Sequence, residues 1–191
     1  MLRDTDKRER IVEAAVEVFC QAGYDAASMA DVAAKAGVGK GTLYLYFDSK
    51  QSLFEEAYKI CNEARMRECA ANTQQVDSVM DKLCMRLRNG TRWEMKAPLM
   101  NKLERVYLAD PRFGESNRSR ALGMRADGVR EMIERGIAES KLRQMPAPLL
   151  EEMYYRLGSA VYYYIEDHPE RAEDEALWAR IYESLRGCLG A

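Results

Sequence analysis

Apolar residues recur along this chain three and four positions apart, as on one face of an α-helix, and alternating runs bounded by hairpin turns are nearly missing. The pattern predicts an all-α fold of about nine helices. The first spans about 6–22, with Ile11, Ala14, Ala15, Val18 and Phe19 on one stripe and Gly23 as its C-terminal cap. A second, short helix begins after Ser28, where Asp31 three residues on makes a capping box with Asp in place of Glu. Val32, Ala33 and Ala36 form its buried side, and Gly37 breaks it. A third covers 39–47. At about 100° per residue, Leu43 and Phe47 face the core and Gly41 and Leu45 lie opposite, flanked by Thr42 and Tyr46 on one side and Lys40 and Tyr44 on the other. Asp48-Ser49 cap a longer helix of about 49–70, a rod joining two modules.

The later pattern is helical throughout. A stripe from Val76 to Leu87 stops near Asn89-Gly90, and a helix from about 93–98 carries Leu99, Met100, Leu103, Val106 and Tyr107 to Asp110-Pro111. A long helix is expected over about 115–142. The last two helices, about 148–167 and 174–189, are strongly amphipathic. Their stripes include Leu157, Val161, Tyr162 and Ile165, then Trp178, Ile181 and Leu185. Either these bury against the preceding helices, or they form a two-fold interface in which each subunit gives two helices to a four-helix bundle. The second reading is favoured, because the chain end otherwise has little to pack on.

Composition narrows the class. Of 191 residues, 47% are hydrophobic and 31% charged, enough for a globular core. No run of about 18 apolar residues is present, so no membrane span is expected, and the N-terminus has no hydrophobic signal core. The expected location is the cytoplasm. Net charge is −2, so a basic surface for nucleic acid must be local. The single histidine, His168, leaves no material for a histidine metal site or a Ser-His-Asp triad, and no metal or cofactor is expected. The five cysteines, Cys20, Cys61, Cys69, Cys84 and Cys188, have no C-x-x-C spacing and read as reduced, buried thiols.

The outward face of 39–47 is odd for plain solvent but suits a duplex. Gly41 admits close approach, Lys40 can reach a base edge or phosphate, Thr42 offers a hydroxyl and a methyl, and Leu45 suits a thymine methyl. Lys50 sits in the first turn of its helix, where a cation opposes the helix dipole, and this hints at a phosphate.

With those residues placed, 8–57 closely resembles the TetR family of bacterial transcriptional repressors. The resemblance rests on Ile11-Val12-Glu13-Ala14-Ala15, Phe19, Ala22-Gly23-Tyr24, Ser28 to Ala33, Ala36 to Tyr44, Tyr46-Phe47, Ser49-Lys50 and Leu53. It implies a helix-turn-helix DNA-binding domain in 1–50 and a ligand-sensing and dimerisation domain in 51–191. By position it implies Ser28 as a cap that meets phosphate, Lys40, Gly41 and Thr42 as base readers, and Tyr44, Tyr46 and Lys50 as phosphate contacts. Gly39 stands where many members have Ser, and Ala30 where some have a base-reading Arg. The implied mechanism is a homodimer on a palindromic double-stranded operator, released when a small molecule binds the C-terminal domain and biases the connecting helices apart.

Trp93, Met100, Leu103, Tyr107, Met124, Met132, Tyr154, Tyr155 and Tyr162 are candidates to line a cavity for a hydrophobic or aromatic effector. Each alone reads better as core, and the pocket is expected because the family usually has one. Glu94, Glu104 and Asp110 favour a cationic ligand if they face inward. The alternatives are a DNA-binding repressor without a ligand and, remotely, a helical enzyme, against which the scarcity of histidine and of paired acids argues.

Overall fold

The computed structural model describes residues 2–110, 112–113 and 128–191. The described residues form nine α-helices and no strand, apart from an isolated bridge between Leu142 and Gly190. They divide into two compact units, residues 1–64 with 97–120, and residues 65–96 with 121–191. The first unit therefore includes the opening turns of the rod and the segment 97–120, whereas the sequence division falls at residue 50. No helix is long and apolar enough to cross a membrane among the described residues.

The first unit contains α1 (Leu2–Ala26), α2 (Met29–Ala36), α3 (Lys40–Tyr46), the start of α4 (Lys50–Ala70) and α6 (Pro98–Ala109). The α1 stripe is buried at Ile11, Ala14, Ala15 and Phe19. Gly23 (φ 76, ψ 171) interrupts α1, but a further turn follows, so it kinks the helix where a cap was expected. Aromatic rings bind the unit's elements. Phe19 meets Phe54 edge to face at 4.7 Å, Tyr58 stacks on Tyr107 at 3.9 Å, and Phe113 packs against Tyr24 and Phe54 at 5.0 and 5.3 Å. Such pairs add to the area that their burial removes from water.

The second unit holds α5 (Val79–Lys96), α7 (Val129–Ala138), α8 (Ala147–Asp167) and α9 (Glu175–Leu189). Its core is built from Leu83, Ile133, Leu150, Ile165, Trp178, Leu185 and Leu189. Gly136 is required by its neighbour, because a Cβ there would lie 2.6 Å from Leu142 Cδ1. The Trp178 indole donates to the Ala172 carbonyl at 2.8 Å, and the Tyr154 hydroxyl to the Leu83 carbonyl at 3.2 Å.

Three sequence expectations change. The helix expected to stop at Asn89-Gly90 runs through to Lys96, which places Trp93 within α5. Gly90 is there for packing, since a Cβ would sit 3.2 Å from the Cys69 sulfur, and Pro98 at the start of α6 marks the real boundary. The helix expected over 115–142 is described only from Val129, after Gly128 in the left-handed region (φ 86), and ends at Ala138 before a turn with Ser140 at φ 55. Residues 115–127 lie outside the described residues.

The third change concerns the expected two-fold face. Val161, Tyr162, Ile165, Trp178 and Leu185 are buried within the protomer's own second unit. Leu157 and Ile181 are half-buried and pack against the same core. The apolar stripes of α8 and α9 serve the core, which leaves Ser159, Ala160 and Tyr163 on α8, and Arg180, Ser184 and Gly187 on α9, exposed.

Candidate nucleic-acid interface

The helix-turn-helix is assembled by local chemistry. Ser28 has extended geometry (φ −124, ψ 153) and caps α2. Its hydroxyl accepts from the Asp31 amide at 3.2 Å, and the Asp31 carboxylate accepts from the Ser28 amide at 3.2 Å and from the hydroxyl at 2.6 Å. The shorter Asp therefore closes the capping box as Glu usually does. Gly37 ends α2 in the left-handed region (φ 66, ψ 37), where a Cβ would be strained. Its amide donates to Ala34 and the Val38 amide to Ala33, which satisfies the last carbonyls and turns the chain into α3.

Helix α3 stands on Leu43, fully buried, and Phe47, 5% exposed. On the opposite side Leu45 is 85% exposed and Tyr44 45%. Lys40 and Gly41 are exposed, and Thr42 and Tyr46 half-buried. The facing predicted from the sequence is thus present. Gly39 supplies no side-chain cap to α3. Ser49 caps α4, its hydroxyl accepting from the Ser52 amide at 3.0 Å, while the Ser52 hydroxyl accepts from the Ser49 amide at 3.2 Å.

Lys50 does something else. Its ammonium donates to the carbonyls of Tyr24, Asp25 and Ala27 at 2.7, 3.1 and 3.0 Å, and it lies 4.6 Å from the Tyr24 ring centre. An ammonium has three protons, and three carbonyls occupy them. The residue expected to meet phosphate instead ties the start of α4 to the turn leading into α2. The Arg112 guanidinium covers the same Tyr24 ring, also at 4.6 Å, and pairs with Asp25 at 2.6 Å and Asp110 at 2.5 Å. Asp110, considered for a cationic ligand, is therefore engaged, and Arg112 holds its carboxyl below the usual range. Burial raises the Tyr24 phenol, with Arg112 opposing. Tyr24, Asp25 and Arg112 were missed by sequence reasoning, because they meet only once 97–113 folds onto the N-terminal unit.

The expected pocket residues are divided between the two units. Met100, Leu103 and Tyr107 belong to the first unit, and Trp93, Met132, Tyr154, Tyr155 and Tyr162 to the second. Leu103 is fully buried and Tyr107 is held by its stack on Tyr58. The Tyr162 hydroxyl donates to Glu166 at 2.6 Å. Met124 lies outside the described residues.

Residues 11–57 match the model of the bacterial regulatory proteins of the tetR family. The chain is 35% identical over 54 residues to IcaR of Staphylococcus aureus, the HTH-type negative transcriptional regulator of the biofilm operon icaADBC. That match covers 28% of this chain and 29% of IcaR, so the chain spans less than a third of the curated relative it matches. Over nearly its full length the fold is similar to a TetR family transcription regulator from Marinobacter aquaeolei VT8, with a TM-score of 0.83 at 17% identity, covering 99% of this chain and 98% of that one. It is similar also to FadR from Bacillus subtilis in complex with stearoyl-CoA, with a TM-score of 0.76 at 18% identity, covering 93% and 96%. At such identities the likeness speaks to fold alone. Residues 11–57, which hold the helix-turn-helix, thus carry the N-terminal domain of the tetR family of bacterial regulatory proteins.

Proposed function

We propose that this chain is a cytoplasmic, DNA-binding transcription regulator that represses by occupying a palindromic operator as a homodimer and leaves it when a small molecule binds its C-terminal part. The observation that carries the reading is the outward face of α3. Lys40, Gly41, Tyr44 and Leu45 are exposed on a helix that Leu43 and Phe47 anchor to its own core. A leucine left 85% exposed beside a glycine and a lysine has no value for folding, but contacts base edges and methyl groups well. Thr42 reads a base edge, Ser28 and Tyr46 flank the same surface, and Tyr44 reaches phosphate. The negative regulation by IcaR supports repression, and a bound stearoyl-CoA in a protein of similar fold supports a small-molecule effector.

Pairing follows from geometry. Two recognition helices reach successive major grooves only when held about 34 Å apart. The exposed side of α8 and α9, with Ser159, Ala160, Tyr163, Ser184 and Gly187, is the face for that contact, and its small residues admit close helix approach.

A ligand-free repressor is the second reading. The burial of Leu103 and Tyr107 as core, and the hydrogen-bonded Tyr154, favour it. Selection of duplexes from a random pool with full-length protein tests the function. Enrichment of an inverted repeat is expected, and recovery of unselected sequence would refute the proposal.

A further inference from the structure

The second unit carries a groove of about 360 Å³ whose chemistry differs from the apolar cavity expected there. One face of α5 supplies Asp81, Cys84, Met85, Arg88, Asn89 and Arg92, and α9 adds Tyr182 and Arg186. Residues four or so apart on α5 share this side, so Arg88 and Arg92 project into it together. Three guanidiniums thus converge against one carboxylate, Asp81, which accepts from Arg186 at 2.8 Å.

The remaining two arginines are balanced from outside the groove. Glu175 accepts from Arg88 at 2.9 Å, and Glu173 from Arg92 Nε at 3.0 Å and Arg88 at 3.4 Å. Glu173 precedes α9 and Glu175 opens it, and their side chains are 65% and 77% exposed. The Arg88 side chain is only 14% exposed and lies 5.3 Å from the Trp178 ring centre. The arginine is therefore fixed by the core, while its carboxylate partners, each held by at least two guanidinium nitrogens, stand exposed to water. Water screens exposed ion pairs and makes them weak, whereas a phosphoryl group offers three oxygens to paired guanidinium forks.

We propose that this groove binds the phosphoryl group of a small molecule, held by Arg88 and Arg92 with Arg186 alongside, and that the ligand competes with the Glu173 carboxylate for Arg92. Met85 and Tyr182 line the part of the groove available to the body of a phosphate ester. The site lies in the second unit and α3 in the first, and its failure leaves the proposed operator binding untouched.

Isothermal titration of the full-length protein with inorganic phosphate and with phenyl phosphate, against chloride at matched ionic strength, tests this. One saturable site per chain is expected. Preference for phenyl phosphate identifies an ester as the ligand, and equal affinity identifies free phosphate. Arg92→Gln should weaken binding by about 10-fold, the loss of one charge-assisted contact. Arg88→Lys, which keeps the charge but loses the fork, should also weaken it, and gives the answer if Arg92→Gln is poorly folded. Glu173→Gln should tighten binding by about 3-fold or more, since it removes the competitor. A structural ion pair with no ligand predicts no such gain. Lys141→Ala, at an exposed lysine that does not line the groove, should leave phosphate affinity unchanged. Absence of saturable binding to both wild type and Glu173→Gln, or unchanged affinity in both arginine variants, would overturn the assignment.

Discussion

At the scale of single residues, the sharpest contrast lies between Lys40 and Lys50. Both lysines sit at the start of a short-range signal in the sequence, and both look available to phosphate. Lys40 is exposed, whereas Lys50 spends its protons on three carbonyls of the turn before α2. Charge-assisted hydrogen bonds at a half-buried site are among the stronger single contacts. Lys50→Gln should therefore lower thermal stability, by about 2 kcal/mol. It should weaken DNA binding without changing the slope of log affinity against log salt, because no phosphate contact is lost. Lys40→Ala should leave stability unchanged and flatten that slope by about 0.9 if it meets phosphate. Calorimetric melting beside salt-titrated binding separates the two. A flatter slope in the Lys50 variant would return that residue to the DNA surface.

The cysteines make a second case at this scale. Burial pushes the thiols of Cys20 and Cys84 up to about 11 and that of Cys61 to about 12, while Cys188 is exposed. The thiolate is the nucleophile, so a raised pKa keeps the first three unreactive until the pH approaches those values. Iodoacetamide at pH 8 should label Cys188 first in the native protein and Cys61 last, as read by peptide mass. Labelling of Cys61 as fast as Cys188 would show that the α1–α4 core opens readily.

At the scale of elements, the most legible part of the sequence was also the most local. Ser28, Asp31 and Gly37 specify the cap, the helix and the turn within ten residues, so α2 and α3 appear where expected and face as expected. Elements whose partners lie far along the chain were harder. Gly90 reads as a stop, yet it is the contact point for Cys69 twenty-one residues earlier. The stripes of α8 and α9 announce that they are buried but not what buries them. Trp178, 1% exposed, has its partners in its own protomer. A prediction follows for these two helices. Trp178→Ala should destabilise the second unit by about 3–5 kcal/mol, the range for a buried aromatic, and tests folding. Tyr163→Glu, on the exposed side of α8, should instead yield a folded monomer by sedimentation with an unchanged circular dichroism spectrum. A folded Tyr163→Glu dimer would remove that face from the interface.

At the scale of the molecule, an acidic chain must obtain DNA affinity from placed contacts. With a net charge of −2, there is no general attraction to a polyanion. In the proposed homodimer two reading heads compensate, because the second half-site is bound at the effective concentration set by the first. The position of 97–113 within the N-terminal unit, with Arg112 on Asp25 and Phe113 on Tyr24, means that sequence from beyond the rod supports the turn into the helix-turn-helix. That support was invisible to periodicity, which places a helix on a face but not in a domain.

The central claim is that α3 reads DNA through its exposed face, and affinity for the selected inverted repeat tests it most directly. Fluorescence anisotropy should compare wild type with Lys40→Ala/Leu45→Ala on that duplex and on a scrambled one. Wild type should prefer the repeat by about 1,000-fold or more. The variant, equally stable because both side chains are exposed, should lose most of that preference while keeping weak binding to either duplex. Undiminished discrimination by the variant would contradict the account.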